Sequence, residues 1–190
     1  MRMPLKWFVL WAASIVLPGC AAYGIRDLSH DPSVQALIGQ CYQLTGESFV
    51  YEARCVVLNS KGVGSRELCL GLHSFSAGTE MSVFPGSYEE YTSDKEKWDK
   101  KMFEKLLFEK QREISYPVPE GTKFYITTVV GYPWGVTGHK LAMRADLEGP
   151  NGTEEVELRT IELLTYGQIW AKRDRMNNIS FNSEFAIPCN

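Results

Sequence analysis

Apolar and polar positions alternate in short runs along most of the chain, and a period of two is the signature of strands buried on one face. Ile38 to Leu44 is a short run of this kind. Ser48 to Leu58 is a stronger one, rich in aromatic and β-branched residues, and Glu67 to His73 places Leu68, Leu70 and Leu72 on one face. Residues 74–91, with Gly78, Pro85 and Gly86, predict an irregular connection with a short strand at Met81 to Phe84. Further on, Lys123 to Val130, His139 to Leu147 and Glu154 to Leu164 predict three strands. They are joined by the loop Gly131 to Gly138 and the turn Glu148 to Gly152, which contains an Asn-Gly step, and make an antiparallel meander.

One segment changes period. Trp98, Met102 and Leu106 recur at i, i+4 and i+8, flanked by Phe103 and Leu107, while lysines and glutamates fill the opposite face. Ser93-Asp94-Lys95-Glu96 has the spacing of a capping box, and Tyr116-Pro117 stops the helix, so the pattern predicts a helix over about 94–112. In the tail from Tyr166, Gln168 to Met176 reads as a helical turn and Ile187 to Cys189 as an end held by a disulfide. These elements predict a mainly β fold with one accessory α-helix: a small antiparallel barrel or half-open sheet, SH3-like in size.

The N-terminus follows a different logic. Arg2 and Lys6 precede Trp7 to Leu17, eleven residues of which only Ser14 is polar. A basic start and a 7–15-residue apolar stretch describe a secretory signal. A spanning helix needs roughly 20 apolar residues. The run closes on Leu17-Pro18-Gly19-Cys20, which resembles the lipobox of bacterial lipoproteins. That resemblance covers about the first twenty residues. It implies cleavage after Gly19, lipid on the thiol and amine of Cys20, and, with Ala21 rather than aspartate next, residence in an outer membrane facing the periplasm. Residues 1–19 are then a signal, 20–36 a polar tether and 37–190 a single β-rich domain.

Removing residues 1–19 takes Arg2 and Lys6 with it and moves the formal net charge from −3 to −5. A mildly acidic domain argues against nucleic acid or an anionic lipid surface as the main partner. Cysteines 41, 55, 69 and 189 remain besides Cys20. Four cysteines in an exported chain read as a disulfide framework with three possible connectivities. A hairpin centred on Gly62 sets Cys55 opposite Cys69, which leaves Cys41 for Cys189. Without a CxxC pair, a cysteine metal site is not expected.

Motifs for catalysis are missing: the sequence has no HExxH, GxSxG, phosphate-binding glycine loop or SxxK. Of its three histidines, His30 lies in the tether, while His73 and His139 are the conceivable metal ligands with a carboxylate such as Glu80 or Asp146, a site that is not expected; neither Ser74 nor Ser76 makes a triad with His73 by sequence. No cofactor beyond covalent lipid is expected. Tyr132-Pro133-Trp134, rigid aromatics between glycines, is the candidate contact surface for an envelope protein or a glycan, or else folds inward as a plug. The sequence thus predicts a lipid-anchored, non-catalytic envelope binding module such as a scaffold, inhibitor or immunity-type protein. An envelope hydrolase without visible motif, or a structural accessory of a surface apparatus, are the alternatives.

Overall fold

The computed structural model describes residues 26–58, 64–77, 84–105, 113–134, 138–159, 170–173 and 179–190. Within them lie eleven strands: β1 (Arg26–Asp27), β2 (Cys41–Leu44), β3 (Ser48–Leu58), β4 (Gly64–Ser74), β5 (Ile114–Val118), β6 (Lys123–Trp134), β7 (Gly138–Gly149), β8 (Gly152–Arg159), β9 (Ala171–Arg173), β10 (Ile179–Phe181) and β11 (Ala186–Pro188). Two helices, α1 (Tyr88–Ser93) and α2 (Lys95–Lys105), lie between β4 and β5. Nine strands form one sheet in the order β11-β2-β6-β7-β8-β4-β3-β5, with β1 added to β6 beside β2. The sheet curls into a half-barrel, so the fold is mainly β with accessory helix. β9 and β10 form a separate ribbon.

The meander β6-β7-β8 is present, antiparallel throughout. Its second turn is tight: Gly149 pairs with Gly152, leaving Pro150 and Asn151 at the tip, and Gly152 takes φ +113°, a value that favours glycine. Not every pairing is antiparallel. β4 joins β8 in parallel through Leu70↔Val156 and Gly71↔Glu157, a pairing open to two strands separated in the chain by the helices and three further strands rather than by a hairpin. The corner from β5 to β6 is fixed by Gly121 at φ +85°, whose amide donates to the Leu44 carbonyl at 2.9 Å.

Burial explains the period of two. β3 puts Val50 into an inner core with Leu44, Leu72, Phe124, Ile126, Met143, Leu147 and Leu158. Its neighbours Phe49 and Tyr51 point the other way, into a second cluster with Phe75, Phe84, Tyr91, Trp98, Met102 and Ile114. The helices therefore cover the outer face of β3, β4 and β5. Gly71 sits opposite Tyr51 and lets that ring lie across it; a Cβ there would come within 2.7 Å of Tyr51 Oη.

Several expectations are corrected. Residues 26–36, expected in the tether, are part of the fold: Leu28 N donates to Val129 O at 2.8 Å and Val34 is buried in the inner core. The helix expected over about 94–112 is α2, described from Lys95 to Lys105, with residues 106–112 outside the described ones; α1 is an additional helix that begins in the stretch expected to be an irregular connection. Ser93 does not cap; its hydroxyl donates back to Glu90 O at 2.8 Å. Asp94 beside it takes that place for α2, its Oδ1 accepting from Lys97 N at 3.2 Å, while α1 has its own cap in Ser87, whose Oγ accepts from Glu90 N at 3.0 Å and whose partner Glu90 Oε2 accepts from Gly86 N at 2.7 Å. The helical turn expected over Gln168–Met176 is instead strand at Ala171–Arg173, held by pairing with Ile179–Phe181. Trp170 beside it is buried in the inner core, its Nε1 donating to Leu72 O at 3.1 Å. Leu68 shares a face with Leu70 and Leu72 but is 62% exposed, since the core ends before it.

Cys41 and Cys189 are bonded, with Cα atoms 5.4 Å apart and 148 residues between them in sequence. The β3–β4 register is Ala53↔Cys69 and Cys55↔Glu67, so the hairpin is centred one residue earlier than expected. Cys55 and Cys69 are diagonal rather than opposite. Cys69 is disulfide-bonded; the Cys55 side chain lies outside the described ones.

Candidate functional site

The strand β6 carries the sequence-predicted contact residues to one end of the sheet. After a bulge between Ile126 and Thr128, β6 pairs continuously with β7 up to Tyr132↔Lys140, Pro133↔His139 and Trp134↔Gly138. Tyr132 to Trp134 are therefore strand, not the loop expected over Gly131 to Gly138. Two apart in a strand, Tyr132 and Trp134 belong to the same sheet face. On its other side β6 pairs with β1 only at Val130 and Gly131. Pro133 falls beyond that pairing, where the missing N–H leaves no ladder bond unmade. The side chains of Tyr132 and Trp134 lie outside the described ones, as does residue 20.

Other chemistry-bearing residues are dispersed. His73 is buried in the outer cluster, its ring 4.1 Å from that of Phe84 and stacked 5.3 Å from that of Phe49, with Nδ1 2.9 Å from Ser74 O. Ser74 is the next residue of the strand and so faces the opposite side, where its hydroxyl meets that of Ser76 at 2.7 Å. The two serines and His73 do not converge on one point. His30 is exposed, and His139 lies at the far end of β7 from the Asp146 carboxylate considered with it. Among the described residues no three His, Cys, Asp or Glu side chains stand close enough to hold a metal ion.

Lys95 ties several elements together. Its Nζ lies 2.9 Å from Asp99 Oδ2 and 2.7 Å from Glu113 Oε1, and 5.5 Å above the Tyr91 ring. Burial works against its charge, but the bonds to Glu113 and Asp99 outweigh it and raise the pKa. Tyr91 donates to Asp99 Oδ1 at 2.9 Å and accepts from Ile114 N at 3.2 Å, locking α1, α2 and β5 together. Its pKa is raised, chiefly by burial. This group is a clasp between elements.

Sequence reading missed two features. Glu157 is 5% exposed and stands across from Arg144, whose Nη1 is 3.8 Å from Glu155. An acidic residue between Val156 and Leu158 looks like the solvent side of an alternating strand, and only the β4 neighbour reveals its burial. The second is the position of β1. Two residues carry no periodicity, yet they fix where the N-terminal chain meets the sheet.

Compared with family models, curated proteins and solved structures, the chain matches none. Among the described residues no helix is long and apolar enough to cross a membrane.

Proposed function

We propose that this protein is a lipid-anchored, non-catalytic binding module of the cell envelope, held at the outer membrane through Cys20. The observation that carries the reading is the apolar run closed by Leu17-Pro18-Gly19-Cys20 after Arg2 and Lys6. One acyl chain of myristoyl length binds a membrane only marginally, whereas several chains on one cysteine hold it durably. The Cys41–Cys189 bond supports an oxidising compartment, where such bonds persist. The short distance along the chain from Cys20 to Arg26 supports a domain carried close to its anchor. Tyr132 and Trp134 are its contact residues, and its role is recognition rather than turnover.

Cys20→Ser tests the anchor. The variant is expected in the soluble fraction after cells are broken, with the parent chain in washed membranes and heavier by its lipid in intact-mass analysis. A variant that stays with the membranes, or a parent chain with an unmodified thiol, would overturn the reading.

A further inference from the structure

The register of β1 on β6 places the anchored end of the chain and the aromatic hairpin end together. Arg26 pairs with Gly131 and Asp27 with Val130, antiparallel. Moving from Arg26 toward the N-terminus is therefore moving along β6 toward Tyr132 and Trp134. Trp134 lies three residues beyond the Arg26 rung, ~10 Å at strand rise. Between Cys20 and Arg26 the chain can reach at most ~20 Å. The hairpin end thus falls within the distance that the chain allows between the fold and its lipid.

We propose that this end of the β6–β7 hairpin is a membrane-docking surface, with Tyr132 and Trp134 seated in the lipid headgroup layer beside the anchor. The proposal rests on the lipid-anchored reading and names the partner of the same contact residues. Tyrosine and tryptophan concentrate at membrane–water interfaces because one part of each ring is apolar and another is polar. Charge placement favours the same occupant. Arg26 is on the neighbouring rung, Lys140 is opposite Tyr132, and Arg159 is opposite Ala142, one strand further; against these three cations stands one acid in the same rungs, Asp27 opposite Val130. Asp146, Glu148, Glu154 and Glu155 are gathered instead around the β7–β8 turn. From Lys140 to that turn is six to nine residues of strand, ~20–30 Å. A domain of net charge −5 would be repelled by an anionic surface if its acids were evenly spread. This register turns a basic and aromatic end toward the bilayer and carries the acidic turn at least two Debye lengths away. The opposite half of the molecule is left for any protein or glycan partner.

The test uses the lipidated protein, purified from membranes and reconstituted into vesicles of phosphatidylethanolamine and phosphatidylglycerol, with or without bromine on the lipid chains. After the signal is removed the tryptophans are Trp98, Trp134 and Trp170, and both Trp98 and Trp170 are buried in the fold. Brominated lipid is expected to quench part of the parent emission, and Trp134→Phe is expected to abolish that quenching while the protein still floats with the vesicles. Tyr132→Phe, read in the same way, should keep it. Parent protein that floats but is not quenched would overturn the docking proposal and leave the anchor standing, as would loss of a captured envelope protein on Trp134→Phe without any lipid quenching. Parent protein that fails to float would overturn the anchor, and the proposal with it.

Discussion

Single atoms decide much in this fold, and Gly71 is the sharpest case. Tyr51 lies across it because there is no side chain in the way, which lets one aromatic ring cover two strands of the outer face. Gly71→Ala would drive a methyl into that ring, and overpacking of this kind costs ~1–3 kcal/mol. Urea denaturation should show the midpoint fall with unchanged slope. Tyr116 offers a second test. Its hydroxyl donates to Glu154 Oε2 at 2.6 Å and holds β5 against β8, the two being far apart in strand order. Burial first, then the bond and charge of Glu154, raise the Tyr116 pKa. Burial raises those of Tyr42 and Tyr91 also. A tyrosine whose folded pKa exceeds its unfolded value near 10 stabilises the neutral form, so the stabilisation is full below about pH 10 and lost as pH climbs through the folded values. Thermal melts should therefore fall above that pH, and Tyr116→Phe should fall less steeply there than the parent chain. Equal slopes would remove Tyr116 from the account.

Elements were legible where their own residues decide them. The alternation in Ser48–Leu58 and in the meander is local, and strands stand there, although β6 runs on to Trp134 and β8 is described only to Arg159. The helix stripe was legible too, since Trp98 and Met102 are both buried against the sheet. Its beginning was not. Ser93 has a glutamate three residues on, but its hydroxyl donates to Glu90 O at the end of α1, so Asp94 caps α2, while Ser87, also three residues before a glutamate, caps α1. Ser87→Ala should cost ~1 kcal/mol, as loss of an N-cap does. Ser93→Ala should be near neutral, and a thermal-shift comparison of the two separates them. Met102 is fully buried at the centre of the helix–sheet contact, so Met102→Ala should cost ~2–5 kcal/mol by transfer and cavity terms together. Tertiary pairing, by contrast, made a strand of Ala171–Arg173 against a helical reading. The same holds for β1: only its pairing with β6 sets Arg26 on the rung of Gly131, three residues from Trp134.

At the scale of the molecule, the sheet is open and its two end strands, β5 and β11, need protection. Both carry proline, Pro117 and Pro188, which weakens either edge as a template for another chain. β11 is also short, with Ile187 and Pro188 exposed, so pairing gives it little hold of its own. The Cys41–Cys189 bond supplies the rest. It joins the C-terminus to the strand that follows the N-terminal segment, closing a loop of 148 residues. In the chain-entropy model a loop of that size stabilises by about 5 kcal/mol through the unfolded state, comparable with the whole stability of a small domain. Cys41→Ser with Cys189→Ser should therefore bring the folded protein close to its unfolding midpoint at physiological temperature, although the described core contains neither sulfur. Local release of β11 would look different. Hydrogen exchange would then speed up only in residues 41–44 and 186–189, with the melting temperature almost unchanged. The loop-entropy account predicts a lower melting temperature and faster exchange throughout the sheet, and the local pattern would refute it.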